Sequence, residues 1–174
     1  MAGVSDAGVT TPARVQAGML NDAFLRARKC DPVSAFGGII ALNGVCDADT
    51  AKSITENFVE IVVAPEFSPA AREIFGAKKN LRLLQINAAE SFLQQGPREP
   101  RQILGGLLYQ DLDVTIAARS EWKPVTKKTP TDADLAALEF AWRVCKHVKS
   151  NAIVFTSETE TLGIGAGQMS RIDS

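Results

Sequence analysis

Chemistry in this sequence concentrates near its end, where Lys149-Ser150-Asn151 leads into an apolar run, Ala152-Ile153-Val154-Phe155. A polar break over Ser157-Glu158-Thr159-Glu160 follows, then Thr161-Leu162-Gly163-Ile164-Gly165-Ala166-Gly167-Gln168-Met169-Ser170-Arg171. Glycine at every second position lets a backbone approach a ligand closely, and the amides with the Arg171 guanidinium offer donors to an anion. Equally, the glycines can serve only a tight β-bend. Two earlier places carry similar ambiguity. Phe36, ahead of Gly37-Gly38, can face a flat ligand or plug the core. Glu60 puts a carboxylate at the start of the run Val59-Glu60-Ile61-Val62-Val63-Ala64, where it can hold a ligand or simply meet solvent.

The elements that must position these residues alternate between helix and strand. Thr11-Pro12 supplies a cap and a first-turn proline, and Val15, Met19, Ala23 and Ala27, with Leu20 and Phe24 alongside, predict a helix of about 16 residues ended by Asp31-Pro32. Ile39-Ile40-Ala41-Leu42 reads as a short buried strand. Asp47 caps a helix with Ala51, Ile54 and Phe58 inward, the Glu60 strand follows, and Ser68-Pro69 starts another helix before a strand over 81–86. A helical turn is expected in 87–95 and a polar loop over 98–101. A strand over 103–110 then carries an internal Gly105-Gly106, expected to mark a bulge or a close approach of another backbone. Trp122 reads as a surface or interface anchor. Thr131 and Asp134 form a capping box for a helix whose apolar stripe is Leu135, Leu138, Trp142, Cys145 and Val148. The alternation predicts an α/β fold with three layers, α/β/α.

Composition narrows the partners. The 174 residues suffice for one large domain or two small lobes, and 45% hydrophobic with 22% charged residues is ordinary for a soluble globular chain. A net charge of −1, without a basic stripe, argues against nucleic acid. No apolar run approaches the roughly 20 residues that cross a bilayer, and the N-terminus lacks the pattern of a signal peptide. Cys30, Cys46 and Cys145 are odd in number and far apart, and His147 is the single histidine, so reduced thiols in a cytoplasmic protein and no zinc are expected. The abrupt stop after the glycine segment is expected of a truncated chain.

Four segments taken together are more specific than any one of them. Cys30-Asp31-Pro32-Val33-Ser34-Ala35-Phe36-Gly37-Gly38-Ile39-Ile40-Ala41-Leu42-Asn43, Phe58-Val59-Glu60-Ile61-Val62-Val63-Ala64-Pro65, Gly105-Gly106-Leu107-Leu108-Tyr109-Gln110-Asp111 and residues 141–171 occur in the order and spacing of one family. From about Phe24 to Ser174 the chain resembles the formyltransferase part of the bifunctional purine biosynthesis protein. That family joins 5-aminoimidazole-4-carboxamide ribonucleotide (AICAR) transformylase to inosine monophosphate cyclohydrolase.

The resemblance implies a cytidine deaminase-like lobe over 11–174 after a frayed 1–10, the first of two lobes in a homodimer with sites across the interface. It implies formyl transfer from 10-formyltetrahydrofolate to the AICAR amine, and a monovalent cation near Ser150. By motif position Phe36, Gly37, Glu60, Asn151 and Arg171 fall at AICAR and Ile172 at the folate side, with Asn151 in a catalytic role. These types suit the reaction, because Asn151 can donate and accept, Glu60 can hold an amide or amine hydrogen, and Arg171 can satisfy an anionic oxygen. The family's Lys-His-x-Asn-Pro segment is missing from 1–10, so this chain alone is expected to be inactive, and a non-catalytic binding or dimerisation lobe is the alternative. Lys146-His147 is a decoy for that pair, expected to be only charge at a helix C-terminus. A zinc deaminase lacks its His-x-Glu and Pro-Cys-x-x-Cys here, and Gly163-Ile164-Gly165-Ala166-Gly167 opens no helix of a dinucleotide fold.

Overall fold

The computed structural model describes residues 19–86 and 96–174. The frayed 1–10, the Thr11-Pro12 start with Val15 and the helical turn in 87–95 lie outside the described residues. The α/β alternation holds: α1 Met19–Lys29, β1 Gly38–Ala41, α2 Ala48–Thr55, β2 Val59–Ala64, α3 Pro69–Gly76 and β3 Arg82–Gln85 build a parallel sheet in the order β1-β2-β3. Capping fixes where the helices begin. Asp47 accepts from the Thr50 amide at 2.9 Å, and Ser68 accepts from the Ala71 amide at 3.1 Å with Pro69 in the first turn.

One apolar cluster joins these elements. Leu20 and Phe24 of α1, Ala51 and Ile54 of α2, and Ala71 and Phe75 of α3 close on Ile40, Val62 and Ala64. The inward stripe of α1 is therefore Leu20 and Phe24, with Met19 left exposed. Helices gather on the sheet face shared by Ile40 and Val62. On the opposite face Ile39 and Leu84 stay exposed, so the second helical layer of the expected α/β/α sandwich is not among the described residues. β1 is half exposed rather than buried for the same reason. Phe58 does not lie on α2, which stops at Thr55.

Thr50 is an exception inside this cluster. It is fully buried and its hydroxyl has no hydrogen-bond partner among the described residues. Thr50→Val keeps the shape and removes the unpaired group, so it is expected to stabilise the fold by about 1 kcal/mol. Thermal unfolding checks this, and a lowered midpoint would contradict it.

Beyond residue 96 the chain changes character. β4 Arg98–Ile103 and β5 Gly106–Asp111 form an antiparallel hairpin, then a 3-10 turn at Arg119–Glu121 leads to α4 Asp132–Lys146, β6 Ile153–Thr156 and β7 Thr161–Gly165. Two expectations are corrected here. The polar stretch 98–101 is a strand, and Gly105-Gly106 is no bulge within one strand. Gly105 has φ 79° at the turn, where the left-handed conformation reverses the chain, and Gly106 pairs back to Ile103. A further correction concerns α4. The Thr131–Asp134 capping box forms as expected, with Asp134 held below its usual carboxylate range by the Thr131 amide and hydroxyl. Yet no residue of α4 is buried, and Leu138 and Trp142 face solvent.

Candidate functional site

The sequence-predicted residues fall into two clusters. The first sits where β1 and β2 begin. Asp31 accepts from the Ser34 amide at 2.9 Å, which folds the chain after α1 and holds the Asp31 carboxyl low. The turn ends at Gly37, whose φ of 70° suits glycine and whose amide donates to the Phe58 carbonyl at 2.9 Å. Phe36 is 73% exposed and rests against Phe58 with ring centroids 5.3 Å apart. It is no core plug.

Glu60 owes its position to a slip in register. Gly38 pairs with Val59 but Ile39 pairs with Ile61, so Glu60 is an extra residue, a bulge in a parallel pair. Its side chain is exposed and forms no ion pair or hydrogen bond among the described residues. A cavity of about 380 Å³, lined by Phe58, Val59, Lys78, Lys79 and Asn80 among others, opens where β2 starts. Those lysines were missed in the sequence. The signal was Lys78-Lys79-Asn80 in the crossover from α3 to β3, which returns to the level where β2 starts.

The second cluster is the β6–β7 hairpin and the segment after it, arranged as the sequence predicts. Asn151 organises this cluster. Its amide hydrogen and its Nδ2 both donate to the Gln168 carbonyl at 3.2 Å, and Nδ2 also reaches the Met169 carbonyl at 3.2 Å. Its carbonyl accepts from the Gln168 amide at 3.3 Å and the Ser174 hydroxyl at 3.1 Å. Two carbonyls on one side-chain nitrogen settle which end of the amide is the donor. The donor half of Asn151 thus shapes the loop, and Oδ1 is the end left for a ligand.

Gly167, with φ 66°, turns this loop back so that its amide donates to the Lys149 carbonyl at 2.9 Å. A Cβ on Gly165 would collide with Ser174, so this glycine is required by close approach. Arg171 projects into solvent with no ion pair or hydrogen bond among the described residues, and Ile172 is 94% exposed.

No hydrogen bond, ion pair or ring contact among the described residues joins Phe36, Gly37 or Glu60 to Asn151, Arg171 or Ile172. Among the described residues, the surface pair Arg26–Glu160 at 3.2 Å is a polar link between the two halves. Lys146 is occupied elsewhere, with Asp113 at 3.3 Å and the Thr115 carbonyl at 3.0 Å, and His147 closes α4. This agrees with a helix-end role for Lys146-His147. Trp122 is half buried, and its indole donates to the Ala117 carbonyl at 3.3 Å. Burial, aided by the charge of Asp47, pushes the Cys46 thiol up to about 12, which leaves it unreactive.

Comparison with known proteins gives a consistent answer. The family model described as the AICARFT/IMPCHase bienzyme matches residues 5–174. A bifunctional purine biosynthesis protein PurH of Paracoccus denitrificans is 54% identical, with 88% of this chain and 29% of the relative covered. A PurH of Cereibacter sphaeroides is 55% identical over 89% of this chain and 29% of its own length. A third, from Parasynechococcus marenigrum, is 49% identical over 95% of this chain and 32% of its own. The chain therefore spans about three-tenths of the length of these relatives.

Proposed function

Because the chain belongs to the AICARFT/IMPCHase bienzyme family, we propose that it carries part of the AICAR site of a formyltransferase acting in purine biosynthesis. The observation that carries this is the unengaged pair Glu60 and Arg171, each presented by a backbone device, a bulge in one case and a glycine turn in the other. In the transfer, the amine nitrogen of AICAR attacks the formyl carbon of 10-formyltetrahydrofolate. A tetrahedral oxyanion forms and collapses, the bond to the folate N10 breaks, and the proton lost by the amine is matched by one taken up at N10.

A conjugated amine of this kind needs orientation and a proton acceptor more than an acid. Glu60 holds an amine or carboxamide hydrogen, Asn151 Oδ1 accepts another, and Arg171 binds an anionic oxygen. Phe36 offers a flat face beside Gly37. Lys78 and Lys79 add the positive charge that a ribonucleotide phosphate requires. Ile172 borders the folate. The two clusters and a partner subunit complete the site in a cytoplasmic homodimer.

A monovalent cation near Ser150 would draw on backbone carbonyls there. The Lys149 and Asn151 carbonyls on either side already accept from Gly167, Gln168 and Ser174, and no step is routed through a cation. A second reading, a binding or dimerisation lobe without turnover, is favoured by the exposed apolar stripe of α4.

Calorimetric titration with AICAR tests the first reading, with inosine monophosphate and inorganic phosphate as controls. Glu60→Gln and Arg171→Ala are suitable variants because neither side chain holds the fold. Each is expected to weaken AICAR binding about tenfold, the scale of a charge-assisted hydrogen bond. No binding by the folded chain, or equal affinity for phosphate alone, would remove this reading and leave the second.

A further inference from the structure

Phe36-Gly37 and Glu60 belong to segments that lie far apart in sequence, yet their geometry depends on one register. Arg28, in the last turn of α1, donates through Nη2 to Asn57 Oδ1 at 2.6 Å, across 29 positions of chain. Both partners sit immediately before the residues in question. Arg28 precedes the 31–37 turn that delivers Phe36, and Asn57 directly precedes Phe58, whose carbonyl receives the Gly37 amide and whose ring receives Phe36. Three residues after Asn57 comes the bulge.

The surroundings make this bond consequential. Arg28 and Asn57 are the long polar side chains in the lining of a small cavity of about 60 Å³ between α1 and the start of the sheet. Its other walls include Phe24, Pro32, Phe36, Ile40 and Val59. A charged donor close to apolar walls strengthens a hydrogen bond, and loss of its acceptor leaves that donor without a partner beside them. Asn57 Nδ2 is itself buried and unpaired, so its amide is held on the Arg28 side alone.

We propose that Arg28 and Asn57 are positioning residues, a clasp that locks the Phe36–Phe58 contact and the Glu60 bulge in the arrangement a planar ligand would meet. The clasp acts through the Gly37–Phe58 hydrogen bond and touches no ligand. Its link to AICAR rests on the function proposed above; its effect on the strand entrance does not.

Amide hydrogen exchange on the intact chain separates the two. In Arg28→Ala and Asn57→Leu the Gly37 amide is expected to exchange at least tenfold faster, while the Val62 and Ile54 amides keep their protection. Asn57→Asp, which retains an acceptor for Arg28, is expected to preserve Gly37 protection. A merely structural role would loosen all of these amides together, and that result, or unchanged Gly37 exchange in both clasp variants, overturns the proposal. The same variants titrated with AICAR are expected to bind about tenfold more weakly, with Asn57→Asp restoring affinity. Faster Gly37 exchange in a wild-type background that does not bind AICAR upholds the clasp and rejects only the ligand.

Discussion

Ile54→Ala is expected to cost about 3 kcal/mol, while Leu138→Ala, a similar truncation of an apolar side chain, is expected to stay within about 0.5 kcal/mol. Ile54 is fully buried where α2 meets the sheet, and its removal leaves a cavity lined by residues that cannot collapse onto it. Leu138 is 53% exposed on α4 and has little burial to lose. The contrast arises because every buried apolar residue of the described chain lies between Leu20 and Phe75. Urea unfolding of the two variants, followed by circular dichroism, measures it. Equal losses would mean that α4 is packed as firmly as α2, contrary to its exposure.

The division between halves also explains what the sequence made legible. Local chemistry was readable wherever one residue type has one mechanism. Asp47, Ser68-Pro69 and Thr131–Asp134 cap helices through bonds to amides three positions on, and each does so here. The β6–β7 hairpin followed from a β-rich run, a polar turn and a glycine-broken return. Burial was less readable, because periodicity identifies an apolar stripe without naming what covers it. Leu138 and Trp142 satisfy the spacing as well as Ala51 and Ile54 do, yet only the second pair is fully buried.

The candidate site divides in the same way. Gly167 was recognisable as one of the glycines that a tight bend uses, and it has positive φ, whereas the equally positive φ of Gly37 had no such signal. The Glu60 bulge was not recognisable, because a one-residue slip between parallel strands depends on how the 31–37 turn delivers β1. Asn151 read in sequence as a side chain able to donate and accept. Its engagement with Gln168 and Met169 depends on contacts 17 and 18 positions away.

The exposed stripe leads to the second large effect, self-association of the chain. Leu138 and Trp142 lie one helical turn apart on α4, both more than half exposed, and Phe155 and Leu162 add further exposed apolar surface on the adjoining hairpin. Capped and regular, α4 keeps these side chains in fixed positions rather than letting them collapse locally, so only another surface can remove them from water. Burial at about 25 cal/mol per Å² makes the exposed half of each large side chain worth roughly 1 to 1.5 kcal/mol, so that several of them together work against the entropy of pairing. A second copy of the chain is always present to provide that surface, and at high concentration the protein is expected to sediment as a dimer or larger. The double variant Leu138→Glu with Trp142→Glu places like charges at the centre of the stripe, and it is expected to return the chain to a monomer without lowering its unfolding midpoint. Sedimentation of the unaltered chain as a single 18.6 kDa species under the same conditions would defeat this expectation. An associated double variant would move the contact away from α4, to the open face of the sheet or to the β4–β5 hairpin, where Ile39 and Leu107 are also exposed.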